Sequence, residues 1–174
     1  MRKIGFTVAA SFAGILIAAV VATAAARIRT VLVEDRCDPA SFNAVLGDGA
    51  CVETDGDKVT FDKFIKALFK GGDPAWRFNS KRPEVRTGET VRATNTGGEV
   101  HTFTEVAAFG GGFVPELNGP LGLTPVPECV TPAIVDPTFI PAGGSLDVPG
   151  LSQGLHRFMC CIHPWMLAEV NVKK

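Results

Sequence analysis

Near the C-terminus a thiol, an imidazole and a thioether follow one another at three-residue spacing. They are Cys160, His163 and Met166, in the run Phe158-Met159-Cys160-Cys161-Ile162-His163-Pro164-Trp165-Met166. Few tasks need those three donors so close together. The main one is to hold a single copper ion between two oxidation states, with two imidazoles and a thiolate around it and a weak axial thioether. The second imidazole is available upstream at His101, in Gly97-Gly98-Glu99-Val100-His101-Thr102-Phe103-Thr104. The chain has only three histidines. That leaves room for one mononuclear site and no open substrate position, so electron relay is expected rather than catalysis, and the protein is not expected to be an enzyme.

The donors need elements that point them at one another. Cys160 is expected to end a strand and Ala168 to begin the next, with His163 and Met166 on the turn between. A turn can bend three ligands around one ion, whereas a strand sends alternate side chains to opposite faces. Pro164 stiffens the turn by fixing its φ angle. The same alternation parts the two adjacent cysteines. If Cys160 faces inward with Phe158 and His156, Cys161 faces away, a poor second ligand and a reasonable disulfide partner. The third histidine, His156, reads as structural. Asn95 and Thr102 are candidates to order the site by hydrogen bonds to its ligands. Pro164 and Trp165 are expected to form an apolar surface around the His163 edge, through which redox protein partners would exchange electrons.

Five cysteines are an odd number, and metal ligation by Cys160 accounts for the odd one. Cys37, Cys51, Cys129 and Cys161 can form two disulfides in three pairings. Locality favours Cys37–Cys51, which would leave Cys129–Cys161, but the sequence alone does not decide. Arg2-Lys3, then an apolar run of small residues to about Ala26, reads as a secretory signal over 1–26; an uncleaved membrane anchor is the alternative. Either way the folded part is expected in the periplasm or outside the cell, where disulfides persist. A net charge of −1, with no basic stripe, is too weak to suggest nucleic acid as a partner, and none is expected.

Residues 27–59 are rich in turn chemistry, Cys37-Asp38-Pro39 and Gly47-Asp48-Gly49, and read as irregular. One helix is expected over 60–70. Phe61, Phe64, Ile65, Leu68 and Phe69 form one apolar stripe, Thr60 can cap it, Asp62 and Lys66 pair across a turn, and Gly71-Gly72 ends it. The stripe is expected to cover part of a sheet. Residues 27–75 therefore form an N-terminal extension with one helix. From Trp76, short β-rich runs bounded by Gly, Pro and Asn point to an antiparallel sandwich over 76–174. Within it, Phe109 to Pro132 reads as a loop excursion.

The ligand loop resembles that of the cupredoxins, the small blue copper proteins. Its Cys-x-x-His-x-x-Met spacing is similar to the short loop of the amicyanins, while plastocyanins have a longer gap before Met. The resemblance covers residues of about 76–174. It implies an all-β fold, a Greek-key cupredoxin β-sandwich carrying the N-terminal helical extension. It also implies one copper ion cycling between Cu(I) and Cu(II), with His101, Cys160 and His163 as equatorial ligands, Met166 as the axial one, and a monomeric one-electron carrier. One departure is His156, where cupredoxins often place an aromatic residue. A copper-storage or copper-delivery protein using the same site is the principal alternative. A structural zinc domain ranks below both, because structural zinc rarely takes methionine.

Overall fold

Val31 and Val33 point inward from the first strand, β1 (Ile28–Glu34), and are fully buried. The computed structural model describes residues 27–80 and 82–174; the expected export segment, 1–26, lies outside them. In chain order there follow α1 (Pro39–Leu46), α2 (Phe61–Leu68), β2 (Arg77–Asn79), β3 (Glu84–Arg86), β4 (Thr90–Asn95), β5 (His101–Thr102) and β6 (Thr104–Val106). The remaining strands are β7 (Phe139–Ile140), β8 (Ser145–Val148), β9 (Gly154–Met159) and β10 (Leu167–Lys173).

Two four-stranded sheets form the sandwich, ordered β2-β1-β4-β8 and β3-β10-β9-β6, and β5 pairs with β7 in a separate two-stranded ribbon. The expected sandwich is present, but its sheets are mixed rather than antiparallel. β1 runs parallel to β4, and β10 parallel to β3. Parallel neighbours need a long crossover; α1, α2, β2 and β3 all lie between β1 and β4. Residues 27–59 are consequently not irregular, and 27–75 is not simply an appendage with one helix. Its first strand lies inside one sheet, and it carries a second helix, α1. Asp38 caps α1 by accepting from the Ser41 N–H at 2.9 Å, and Pro39 opens it.

Between the sheets, Phe103 stacks on Phe158 at 4.3 Å between ring centroids and meets Phe78 edge-on at 5.1 Å. Side-chain alternation along β9 then sorts the cysteines as expected. Phe158 and Cys160 belong to this core, while Met159 and Cys161 belong to a second cluster with Val106, Cys129 and Val135. The disulfides are Cys37–Cys51 and Cys129–Cys161, and Cys160 is the free cysteine. Residues 109–132 are more structured than a loop excursion. Proline-initiated helical turns, Pro115–Asn118 and Pro127–Val130, bury Leu117, Asn118 and Cys129, the last bonded to Cys161.

In α2 the Lys66 ammonium meets Asp62 at 2.6 Å, and Gly71 and Gly72 follow the helix at positive φ. Thr60 has the extended backbone of a cap but makes no side-chain capping bond. Phe64 and Leu68 are buried, whereas Phe69 lies just past the last turn and is 72 % exposed, so the apolar stripe stops one residue short of its expected end.

Candidate metal centre

The segment ahead of β5 is shaped by one amide. Asn95 donates from Nδ2 to the carbonyls of Glu99 (2.7 Å) and Ile140 (3.0 Å) and accepts the Gly97 N–H at 2.9 Å. This folds residues 95–99 over the end of β1 and delivers His101, fully buried, into the interior. Glycine is required at position 97, because a Cβ there would overlap the Asp35 carboxylate. From the other side, β9 ends at Met159 and the chain turns. The Cys160 N–H donates to the Met166 carbonyl at 3.1 Å, and the Met166 N–H to the His163 carbonyl at 2.9 Å. Thr102 joins the two halves, its hydroxyl accepting the Cys161 N–H at 2.7 Å. Thr102 thus meets a candidate ligand directly, its backbone N–H pointing at Cys160 Sγ, whereas Asn95 bonds only backbone groups of the neighbouring segment and touches no candidate ligand by a hydrogen bond.

The three donors converge. Nδ1 of His101 lies 3.7 Å from Cys160 Sγ, Nδ1 of His163 lies 3.8 Å from it, and the two nitrogens are 3.2 Å apart. An ion bonded at ~2.0 Å to nitrogen and ~2.3 Å to sulfur, with ligands at 120°, would separate its nitrogens by ~3.5 Å and each from the sulfur by ~3.7 Å. The triangle found here has those proportions. All three residues are buried. His163 is only 3 % exposed. The donor set, two imidazoles and a thiolate, suits copper. Met166 is fully buried on the same turn, where its backbone closes the hydrogen bonds just described.

Electrostatics favour a thiolate. Burial alone would push the Cys160 thiol up, but hydrogen bonds and charge from His101 and His163 outweigh it and hold the thiol well below its ordinary value. The backbone N–H groups of Thr102 and His163 also point at the sulfur, each at 3.4 Å. Burial likewise disfavours charge on His101, yet hydrogen bonds to Asp35 and Cys160 raise its pKa to about 10.

Behind each ring stands a buried carboxylate. Nε2 of His101 donates to Asp35 Oδ2 at 2.8 Å. Asp35 follows β1 directly and also accepts the N–H groups of Cys37 (3.1 Å), Gly98 (3.0 Å) and Glu99 (3.0 Å). Although burial opposes its ionisation, the His101 hydrogen bond and these N–H groups lower its pKa to about 2. Nε2 of His163 faces Glu99 Oε2 at 3.6 Å, and the same oxygen accepts the Trp76 indole N–H at 2.6 Å. Burial pushes the Glu99 carboxyl up, against the pull of His163.

The sequence reading missed Asp35, Glu99, Trp76 and Phe64. Asp35 sits in the stretch read as irregular, and nothing local marks it; Glu99, two residues before His101, was the one within reach. The stripe of α2 joins the core between the sheets through Phe64 and Leu68, and it also reaches the candidate site. Phe64 packs edge-on against the His163 ring at 6.1 Å and lies 4.7 Å from Trp76 and 5.8 Å from Trp165, centroid to centroid. The His163 edge is therefore roofed, contrary to the expected surface patch. Pro164 is buried too, and Trp165, 5.5 Å from the His163 ring, is half-buried with its N–H on the Asp73 carbonyl. His156 is structural, as read: Nδ1 lies 2.6 Å from Glu105 and Nε2 2.8 Å from the Ser152 carbonyl.

The structure is similar to those of cupredoxins. One is the purple cupredoxin of Nitrosopumilus maritimus, 12 % identical, with 83 % of this chain and 98 % of that one covered at a TM-score of 0.44. Another is the oxidised plastocyanin of Dryopteris crassirhizoma, 15 % identical, with 83 % and 100 % covered at 0.42. A third is a mutant amicyanin in its Cu(I) form, 17 % identical, with 56 % and 73 % covered at 0.37. No protein-family model matches the sequence, and no curated protein sequence does either.

Proposed function

We propose that His101, Cys160 and His163, with Met166 as a weak fourth donor, hold one copper ion, and that the protein carries single electrons between exported redox partners. The observation that carries this reading is the buried triangle of one sulfur and two ring nitrogens, sized for a trigonal ion. Bound there, copper would supply a one-electron couple. The chain's own contribution is to keep the donors still and dry. Asp35 fixes the His101 ring, two backbone N–H groups fix the sulfur, and α2 with Trp76 shields His163 from water. A site that does not rearrange loses little when its charge changes.

Storage or delivery would call for an ion that leaves readily, and the aromatic roof over His163 opposes that. Trp165, in contact with the His163 ring and half open to solvent, is where a redox partner would touch. The two disulfides support an oxidising compartment, periplasmic or extracellular. The test is the absorption spectrum and voltammogram of the copper-loaded protein. An intense thiolate-to-Cu(II) band, lost in Cys160→Ser, with a fast reversible couple, is expected. Absence of the band in the parent would refute copper ligation by Cys160. A slow couple with ready transfer of copper to an acceptor would favour delivery.

A further inference from the structure

Two carboxylates, Asp35 and Glu99, are buried in this protein beside the outer nitrogens of His101 and His163. A buried carboxylate is costly unless it is paired. Asp35 and the His101 ring have no solvent-exposed side-chain surface, and the acid is surrounded by three backbone N–H groups and the ring. Its surroundings are built for it. Gly97 leaves room for the carboxylate, and the Cys37–Cys51 disulfide packs beside Gly98, which donates to it. Glu99 is similarly held, by the indole N–H of a fully buried Trp76.

We infer that Asp35 is a positioning residue for the metal, its hydrogen bond fixing the His101 imidazole with Nδ1 turned inward, that Glu99 acts on His163 as a neighbouring carboxylate at 3.6 Å, beyond hydrogen-bond distance, and that together the two acids give the site a low reduction potential for its ligand set. This rests on the copper reading above. A histidine that gives its outer N–H to a carboxylate has a settled tautomer and is a more basic ligand. Fixed negative charge in a low-dielectric interior stabilises the more positive of two metal states. Both effects strengthen the hold on Cu(II) more than on Cu(I). The site is thereby suited to donate an electron onward rather than to draw one in.

The experiment compares the parent with Asp35→Asn and Glu99→Gln, each loaded with copper. The readouts are reduction potential by voltammetry and the separate dissociation constants of Cu(II) and Cu(I) by competition with chelators. Glu99→Gln keeps an oxygen to accept the Trp76 N–H and removes the acid with little change of shape, and it decides the effect on potential if Asp35→Asn does not fold. In each folded variant the ratio of Cu(II) to Cu(I) dissociation constants should rise at least tenfold, which is about 59 mV or more in potential for one electron. The thiolate-to-Cu(II) band should persist. Potentials that are unchanged or lower, even with reduced thermal stability, would show a purely structural role and overturn the inference while leaving the copper reading intact. A parent without the band would instead overturn the copper reading.

Discussion

Phe64→Ala tests whether α2 is a roof over the site or an ornament on the sandwich. Phe64 is 3 % exposed and meets four aromatic rings besides that of His163: Phe42 at 5.4 Å, Phe61 at 6.1 Å, Trp76 at 4.7 Å and Trp165 at 5.8 Å. Removing a buried phenyl ring costs ~3–5 kcal/mol, the spread reflecting how far the cavity collapses. The well-packed neighbours Trp76 and Phe42 are themselves fully buried, so collapse is limited and the upper half of that range is expected. Phe69→Ala is the built-in control. It lies at the end of the same helix, yet at 72 % exposure it should change stability by less than ~0.5 kcal/mol. Denaturant unfolding of the copper-free proteins gives both numbers. Because Phe64 packs on the His163 ring, the copper-loaded variant should keep its thiolate band while His163 becomes accessible to solvent exchange. A loss below ~1 kcal/mol for Phe64→Ala, or equal losses at the two positions, would refute the seating of the helix on the site.

Two further outcomes follow from the first strand and its neighbours. The Glu89 carboxyl is held to a pKa of about 2, chiefly by its hydrogen bond to Arg29 and then by the Arg86 N–H, which tie the start of β1 to the start of β4. A depressed folded-state pKa means that this stabilisation is complete above the ordinary glutamate value of ~4.3 and drains as pH falls toward about 2. The parent should therefore lose stability between those limits more steeply than Glu89→Gln, and parallel pH profiles would contradict it. Replacing Cys37 and Cys51 together by Ala opens a loop with a sequence separation of 14. By loop entropy that costs ~3 kcal/mol, read as a lower denaturation midpoint, and a loss under ~1 kcal/mol would mean that the bridge is not constraining the chain.

The candidate donors were legible because their chemistry is dense. Cys160, His163 and Met166 are separated by one turn, and few other uses explain the three types together. The cysteine pairing that locality favoured is the one found, and β9 sorts Cys160 from Cys161 as alternation requires. What resisted reading was everything set by the parallel pairings. β1 belongs beside β4 through six consecutive residue pairs, but Ile28, Val31, Leu32 and Val33 place apolar groups on both faces, so the strand shows no clean period of two. With β1 unread, Asp35 at its end had no context. The stripe of α2 was legible as apolar; its target was not, since a helix face packs equally well on a sheet or on rings contributed by three distant segments.

The position of α2 changes what the ligand turn can do. In a bare sandwich the turn carrying His163 would end the molecule, and its imidazole would be the natural place for a partner to touch. Here Phe64, Trp76 and Glu99 occupy that side of the ring, and what remains open beside it is Trp165. Gly72, at φ 97°, lies flat against the indole, and any Cβ there would overlap the ring. The helix and its glycine terminus thus fix the indole that lies between His163 and the surface. Burying both imidazoles also makes the carboxylates behind them count, because charge is screened far less inside the protein than at its surface. On the copper reading proposed above, roof and carboxylates would act as one device: the first would keep the interior dry, and in a dry interior Asp35 would hold the His101 ring and both acids would bias the ion.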